Sequence, residues 1–193
     1  MAGTRDPTLW GARTAREVGR VLAERGYTVV TGFARGVDEE AAFGALEAGG
    51  RVVAVLPYLF EADGGLSPRA ARLLRVAAFR ASVVAENLVR DDKHISAWLA
   101  SRNRIVVHFA AALIVPEARF KPTHWGTRHA VEYALLARRP VIVLKPQARD
   151  ADVVKAFEHF MRRGVATADG VDEALDVVER ACRAHMFKNL GME

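Results

Sequence analysis

The chain reads as an α/β protein: a doubly wound, mostly parallel sheet of Rossmann-like type in three αβα layers. Three observations predict this. Short β-branched runs alternate with helix-forming stretches of roughly 10–15 residues. The run Arg51–Leu56 is apolar almost throughout, as expected of a strand covered on both faces. The run from Tyr27 to Thr31 passes through Gly32 and Gly36 directly into helix formers, giving a strand, a phosphate-sized loop and a helix. In this architecture ligands sit beyond the carboxyl ends of the strands, so function belongs in those loops.

The elements follow in order. Gly3-Thr4-Arg5-Asp6-Pro7 is a turn-like cluster, and Ala15, Val18, Val21 and Leu22 form one apolar stripe of a helix over 12–25 that Gly26 ends. After the strand at 27–31, a helix is expected over 38–48 with Gly49-Gly50 as its stop, then the strand at 51–56. A loop from Pro57 to Pro68 leads to a helix over 68–79 and a short strand over 82–86. Asp91-Asp92-Lys93-His94 precedes a helix over 95–109, interrupted at Ser101-Arg102-Asn103-Arg104. Strands at 112–115, 141–144 and 165–167 alternate with helices at 126–137, 150–162 and 171–184. With 193 residues and no internal repeat or linker, one domain over 1–193 is expected.

A net charge of +5 comes mainly from arginine, since only Lys93, Lys121, Lys145, Lys155 and Lys188 are lysine. Such a balance suits phosphate-bearing polyanions, although an arginine bias also arises from genome composition. The lone Cys182 rules out an internal disulfide and a cysteine-rich metal site. No apolar run approaches membrane-spanning length, and a cytoplasmic protein without membrane contact is expected.

Several chemistries lack their motifs. There is no G-x-G-x-x-G after the first strand, no P-loop and no G-x-S-x-G elbow. The six histidines, His124 among them, show no H-E-x-x-H spacing, so they read as core or solvated residues. No metal, no cofactor and no catalytic constellation is expected. Arg35, between the two glycines, places a fixed positive charge at the loop, where unpaired helix N–H groups also point.

An ordered series of segments resembles the DprA/Smf family of DNA-processing proteins. Gly3-Thr4-Arg5 with Trp10-Gly11 is similar to the family's opening loop, and Thr31-Gly32-Phe33-Ala34-Arg35-Gly36-Val37-Asp38 resembles its S-G-x-A-x-G-[IV]-D signature. Glu86 stands where the family's fourth strand ends, Arg102-Asn103-Arg104-Ile105-Val106 matches its R-N-R-I-[IV] block, and Val115-Pro116-Glu117-Ala118 resembles V-V-E-A. Gly126-Thr127 resembles its helix start, with Arg139-Pro140-Val141 downstream.

The resemblance implies a single-stranded DNA-binding protein of DNA processing and recombination. Its implied pocket comprises Gly32, Phe33, Arg35, Gly36, Arg102, Asn103, Arg104, Lys121, Gly126 and Thr127. Arginines and helix N-termini would neutralise phosphates, and Phe33 or Trp125 would stack on bases. Asn103 reads as a backbone tie, Trp125 equally as a packing residue, and Asp38 as a helix cap or a support for Arg35. Arg102 and Arg104 have a structural alternative, pairing with Glu86 or Glu117. The resemblance also implies a homodimer. Recruitment of the RecA recombinase rests on surfaces that no segment here matches.

Departures are visible too. The family's first strand is nearly missing ahead of Gly3, so either the start lies upstream or the sheet does without it. Thr31, Trp125 and Ala130 replace residues usual in the family. The alternative is a LOG-like nucleotide phosphoribohydrolase, or a sensor for a nucleotide-like ligand. The hydrolase needs a glutamate at 130, whereas Glu132 lies roughly 200° further round a helix.

Overall fold

A computed structural model of the protein describes residues 1–77, 79–123, 125–147 and 149–189. Helix α1 spans Leu9–Glu24, and β1 (Thr28–Thr31), α2 (Val37–Glu47), β2 (Arg51–Phe60), α3 (Pro68–Ala77) and β3 (Ala81–Val89) follow. The second half comprises α4 (Ile95–Ser101), α5 (Asn103–Phe109), β4 (Leu113–Val115), α6 (Gly126–Leu136), β5 (Val141–Leu144), α7 (Ala151–Met161), β6 (Ala166–Ala168) and α8 (Val171–Asn189). The strands β2 and β3 run several residues beyond the predicted ends because Tyr58 still pairs with Asn87 and Phe60 with Val89.

Among the described residues the named strands pair in parallel throughout, in two three-stranded sheets ordered β1-β2-β3 and β4-β5-β6. Between β1 and β4 lie Met1 and Ala2. The Met1 amino group donates to the Val30 carbonyl at 2.7 Å, and Ala2 N donates to the Ile114 carbonyl at 3.2 Å. Across the molecule the order is therefore β3-β2-β1-β4-β5-β6, and the winding direction reverses between β1 and β4. Below Met1 the two edges stand apart around an apolar cavity of about 190 Å³ lined by Thr28, Val30, Ala112 and Ile114.

Alternation along the strands divides the core into two layers, as a period of two requires. Ile114, Ile142 and Leu144 pack with α1, α2, α3 and α8, through Val18, Leu46, Leu73 and Leu175. Leu113, Val115, Val141 and Val143 face α5, α6 and α7, through Val107, Val131 and Phe160. This is the three-layer arrangement expected from the sequence. It sets the reversal of winding, where a cleft opens at the carboxyl ends, beside the loop after β1 and the start of α6.

Candidate functional site

The loop after β1 is held from within. The Thr31 hydroxyl accepts from Phe33 N at 3.2 Å, and the Asp38 carboxylate accepts from Ala34 N at 3.4 Å. Gly36 has φ of 90°, in the left-handed region, and a Cβ there would press on the Thr4 carbonyl. Val37 N donates to that same carbonyl at 3.1 Å, so the loops at 3–5 and 32–36 are stitched together. The α2 N-cap is Gly36, without a side-chain cap, so Asp38 does not cap the helix; it closes the loop.

Phe33 is fully buried at φ of 47° and packs edge-on against Phe43 at 5.8 Å, so it is not available to stack on a base. Such a left-handed bulky residue stores strain in the loop. Arg35 is exposed and turned aside, its Nε donating to the Arg5 carbonyl at 3.4 Å.

The helix expected over 95–109 breaks at Arg102, and the break aims that side chain inward. Arg102 is 5% exposed. Its Nη1 donates to the Val55 carbonyl at 3.0 Å, while its buried Nε has no partner among the described residues. Gly32 makes room for it, since a Cβ at 32 would overlap the guanidinium. Burial pushes this guanidinium down to about 10, against the attraction of Asp38 and with the repulsion of Arg69 and Arg5. The Met1 amino group is likewise pushed down to about 6 by burial, opposed by Asp38 and reinforced by Arg102.

Asn103 Nδ2 donates to the Gly126 carbonyl at 3.2 Å, tying α5 to the start of α6 as the sequence suggested. Helix α6 begins without a side-chain cap or an acidic residue in its first turn. A Cβ on Gly126 would meet nothing within 4 Å, so this positive helix end stays open to the cleft. Arg104 is placed elsewhere: it forms an exposed ion pair with Glu86, matching the structural alternative. Glu117 binds neither arginine. Its carboxylate accepts from Thr8 N at 2.8 Å and from the Thr8 hydroxyl at 2.5 Å, anchoring the start of α1. Trp125 is buried against Phe120, His159 and Phe160, at ring separations of 5.1–5.2 Å, and also lines the cleft.

The resulting cleft encloses about 300 Å³. Of the residues expected in the site, it gathers Arg102, Asn103, Lys121, Gly126 and Thr127; Gly32, Phe33, Arg35, Gly36 and Arg104 do not line it. Sequence reasoning missed Arg5, Asp38 and Arg119 as lining residues. Arg5 stood in the recognised opening segment, but nothing in one dimension showed which loop it would face. Asp38 is the one acid among the described lining residues. His124 lies outside the described residues. Among those described, no group of histidine, cysteine and acidic residues is arranged to hold a metal, and no helix is long and apolar enough to cross a membrane.

Fold and site together define a Rossmann-like protein whose cleft, at the reversal of winding, brings Arg5, Arg102, Arg119 and Lys121 beside an uncapped helix start. The comparisons with known proteins narrow this. The profile of the DNA recombination-mediator protein A family matches residues 1–180, and the chain belongs to that DprA/Smf family of DNA-processing proteins. Protein Smf of Synechocystis sp. is 31% identical over 164 residues, which make up 85% of this chain and 39% of that protein. The chain thus spans about two fifths of the length of the curated relatives it matches. Among solved structures, DNA processing protein A of Streptococcus pneumoniae superposes with a TM-score of 0.70 at 23% identity, covering 91% of this chain and 59% of that one. DNA processing protein A of Helicobacter pylori, whose structure is described in terms of its single-stranded DNA binding mode, gives 0.69 at 20%, covering 93% and 78%. At these identities the two structures establish the shared fold.

Proposed function

We propose that this chain, acting as one Rossmann-like unit over 1–193, binds single-stranded DNA through its phosphate backbone and catalyses no reaction itself. One observation carries the reading: a buried guanidinium with an unpartnered Nε, Arg102, faces the same cleft as an uncapped helix start. Burying a cation without an acid partner is unfavourable unless an anion arrives to compensate. Lys121, exposed and without an ion pair among the described residues, supplies a second charge at the rim. The Helicobacter pylori relative's single-stranded DNA binding supports extending that ligand to this chain.

No described residue of the cleft favours the hydrolase. Position 130 is a buried alanine, and Glu132 is held by Arg128 at 2.7 Å. Cytoplasmic location and self-association into a homodimer complete the proposal, and light scattering on the purified chain tests the latter. The binding test is a competition in which labelled oligothymidylate is displaced by single-stranded DNA, duplex DNA or a free mononucleotide. Single strands are expected to compete best. Preference for the mononucleotide would replace this reading with a small-ligand sensor.

A further inference from the structure

One edge of the sheet lies outside the cleft and is left open. Among the described residues β3 pairs with β2 alone, and none of its residues lines the cleft. Val52 N donates to the Arg80 carbonyl at 2.9 Å and Arg90 N to the Phe60 carbonyl at 2.8 Å, so the even-numbered residues of β3 serve the ladder with β2. The N–H and C=O groups of Ala81, Val83, Ala85, Asn87 and Val89 therefore point away from the sheet. Such a row is a template for another strand, and proteins blunt it with short length, proline, lysine or a bulge. At the opposite edge, β6 has three residues. Strand β3 has nine, in constant register with β2, without proline or lysine and with Glu86 as its one charge.

The two ends of this edge carry opposite charge. At its start stand Arg51 and Arg80, adjacent across β2 and β3; both are exposed, and neither guanidinium has a hydrogen bond or ion pair among the described residues. At the other end Glu61, Asp63, Asp91 and Asp92 outnumber Arg90 and Lys93, and Arg90 is itself held by Glu61 at 3.2 Å and Asp92 at 2.7 Å. Glu86, in the second half of the strand, is neutralised by Arg104. Exposed apolar side chains mark both ends as well: Phe79 just ahead of β3, Leu88 and Val89 at its close. An edge with a basic start and an acidic end is complementary to itself after half a rotation.

We propose that two copies of this chain join along β3, antiparallel about a two-fold axis, so that their β1-β2-β3 sheets become one six-stranded ladder. Only odd-numbered residues face outward, and pairing over the full strand puts the axis at Ala85. Ala85 then pairs with its own copy, Val83 with the partner's Asn87, and Ala81 with the partner's Val89. Arg51 and Arg80 meet the partner's acidic end, and Phe79 comes alongside the partner's Val89. Glu86 faces the partner's Val84, so no like charges are directly opposed within the strand pair. Each copy covers the other's open edge, which closes the assembly at two and leaves both clefts free. The inference rests on the self-association proposed above, names its surface, and is independent of the nucleic-acid reading.

The test is analytical ultracentrifugation of the full chain over a concentration series, on the wild type, Ala85→Pro and Arg80→Glu. Proline at 85 removes an N–H that points outward, which an edge strand tolerates, and Arg80 is exposed, so both variants are expected to keep the wild-type circular dichroism spectrum. The dimer dissociation constant is expected to rise at least about tenfold in Ala85→Pro and about threefold in Arg80→Glu. A cysteine pair reads the register without relying on either variant. In a Cys182→Ala background, Ser82→Cys with Leu88→Cys sets thiols at directly opposed positions, Cα atoms about 4.5 Å apart and within disulfide reach. With oxidised glutathione this double variant is expected to run as a covalent dimer on a non-reducing gel. Either single variant, whose two copies of the cysteine would stand about 20 Å apart, is expected to run as a monomer. A dimeric wild type with unlinked cysteines and an equally dimeric Ala85→Pro would overturn the β3 contact and leave self-association through another surface. A wild type that sediments as a monomer at every concentration would overturn both.

Discussion

Replacing Arg102 with methionine separates stability from binding, and the structure fixes the direction of each effect. Holding the guanidinium at about 10 corresponds to a penalty of roughly 3 kcal/mol on the charged form, at about 1.4 kcal/mol per tenfold change. Against this stands the hydrogen bond from Nη1 to the Val55 carbonyl, a charged donor contributing about 1.5–3 kcal/mol. Methionine keeps the apolar stem, ends near the position of Nε short of the atoms that lie against Gly32, and places no charge there. The folded state is therefore expected to gain between zero and about 2 kcal/mol, which for a chain of this size raises the melting temperature by up to about 6 °C. Binding of single-stranded DNA is expected to fall at least tenfold in the same variant. Thermal melts read by circular dichroism, paired with anisotropy titrations, measure both. A melting temperature lowered by several degrees would refute the reasoning, because Arg102 would then be a structural member whose charge is already compensated.

Other expectations follow from single contacts. Glu117→Ala removes the acceptor of Thr8 N and its hydroxyl at the start of α1, and chemical denaturation should show a loss of about 1–3 kcal/mol. Gly126→Asp adds a side chain into open space and a negative charge at the α6 start, so the melt should be nearly unchanged while oligonucleotide affinity drops at least tenfold. His159 is held below its ordinary value by burial, then by Arg163, Arg128 and Arg162. The unfolded chain therefore takes up this proton at higher pH than the folded one. Its contribution is complete above about pH 6.5 and is lost as pH falls through the folded value, with a slope of at most about 1.4 kcal/mol per pH unit. Denaturation midpoints of the wild type and His159→Phe between pH 5 and 8 should differ in that slope, and parallel curves would contradict it.

The layers, and five of the ten residues expected in the site as cleft lining, were legible in the sequence because both rest on local signals. β-Branched runs gave the strands, and glycines marked the turn after β1 and the start of α6. What it could not give was side-chain direction. Phe33 sits inside the recognised signature, yet its left-handed backbone turns the ring into the core against Phe43. Arg102 and Arg104 are two residues apart in one motif. On helical geometry such residues point to different faces, and one reaches Val55 in the interior while the other reaches Glu86 outside. Glu117 was set against the arginines, but its partner Thr8 lies 109 residues away, a closure only the fold reveals. The sheet expected as one ladder is joined at its centre by the backbone of Met1 and Ala2, a pairing too short to leave a strand pattern.

Amide hydrogen exchange on the complex with an oligothymidylate tests the location of binding most directly. Slowed exchange is expected in the first turn of α6, at Gly126 to Arg128, and in the loop of Thr4 and Arg5, with the outer strand β3 unaffected. Slowing confined to β3 or to α8, with the start of α6 exchanging as in the free protein, would contradict a cleft built around Arg102.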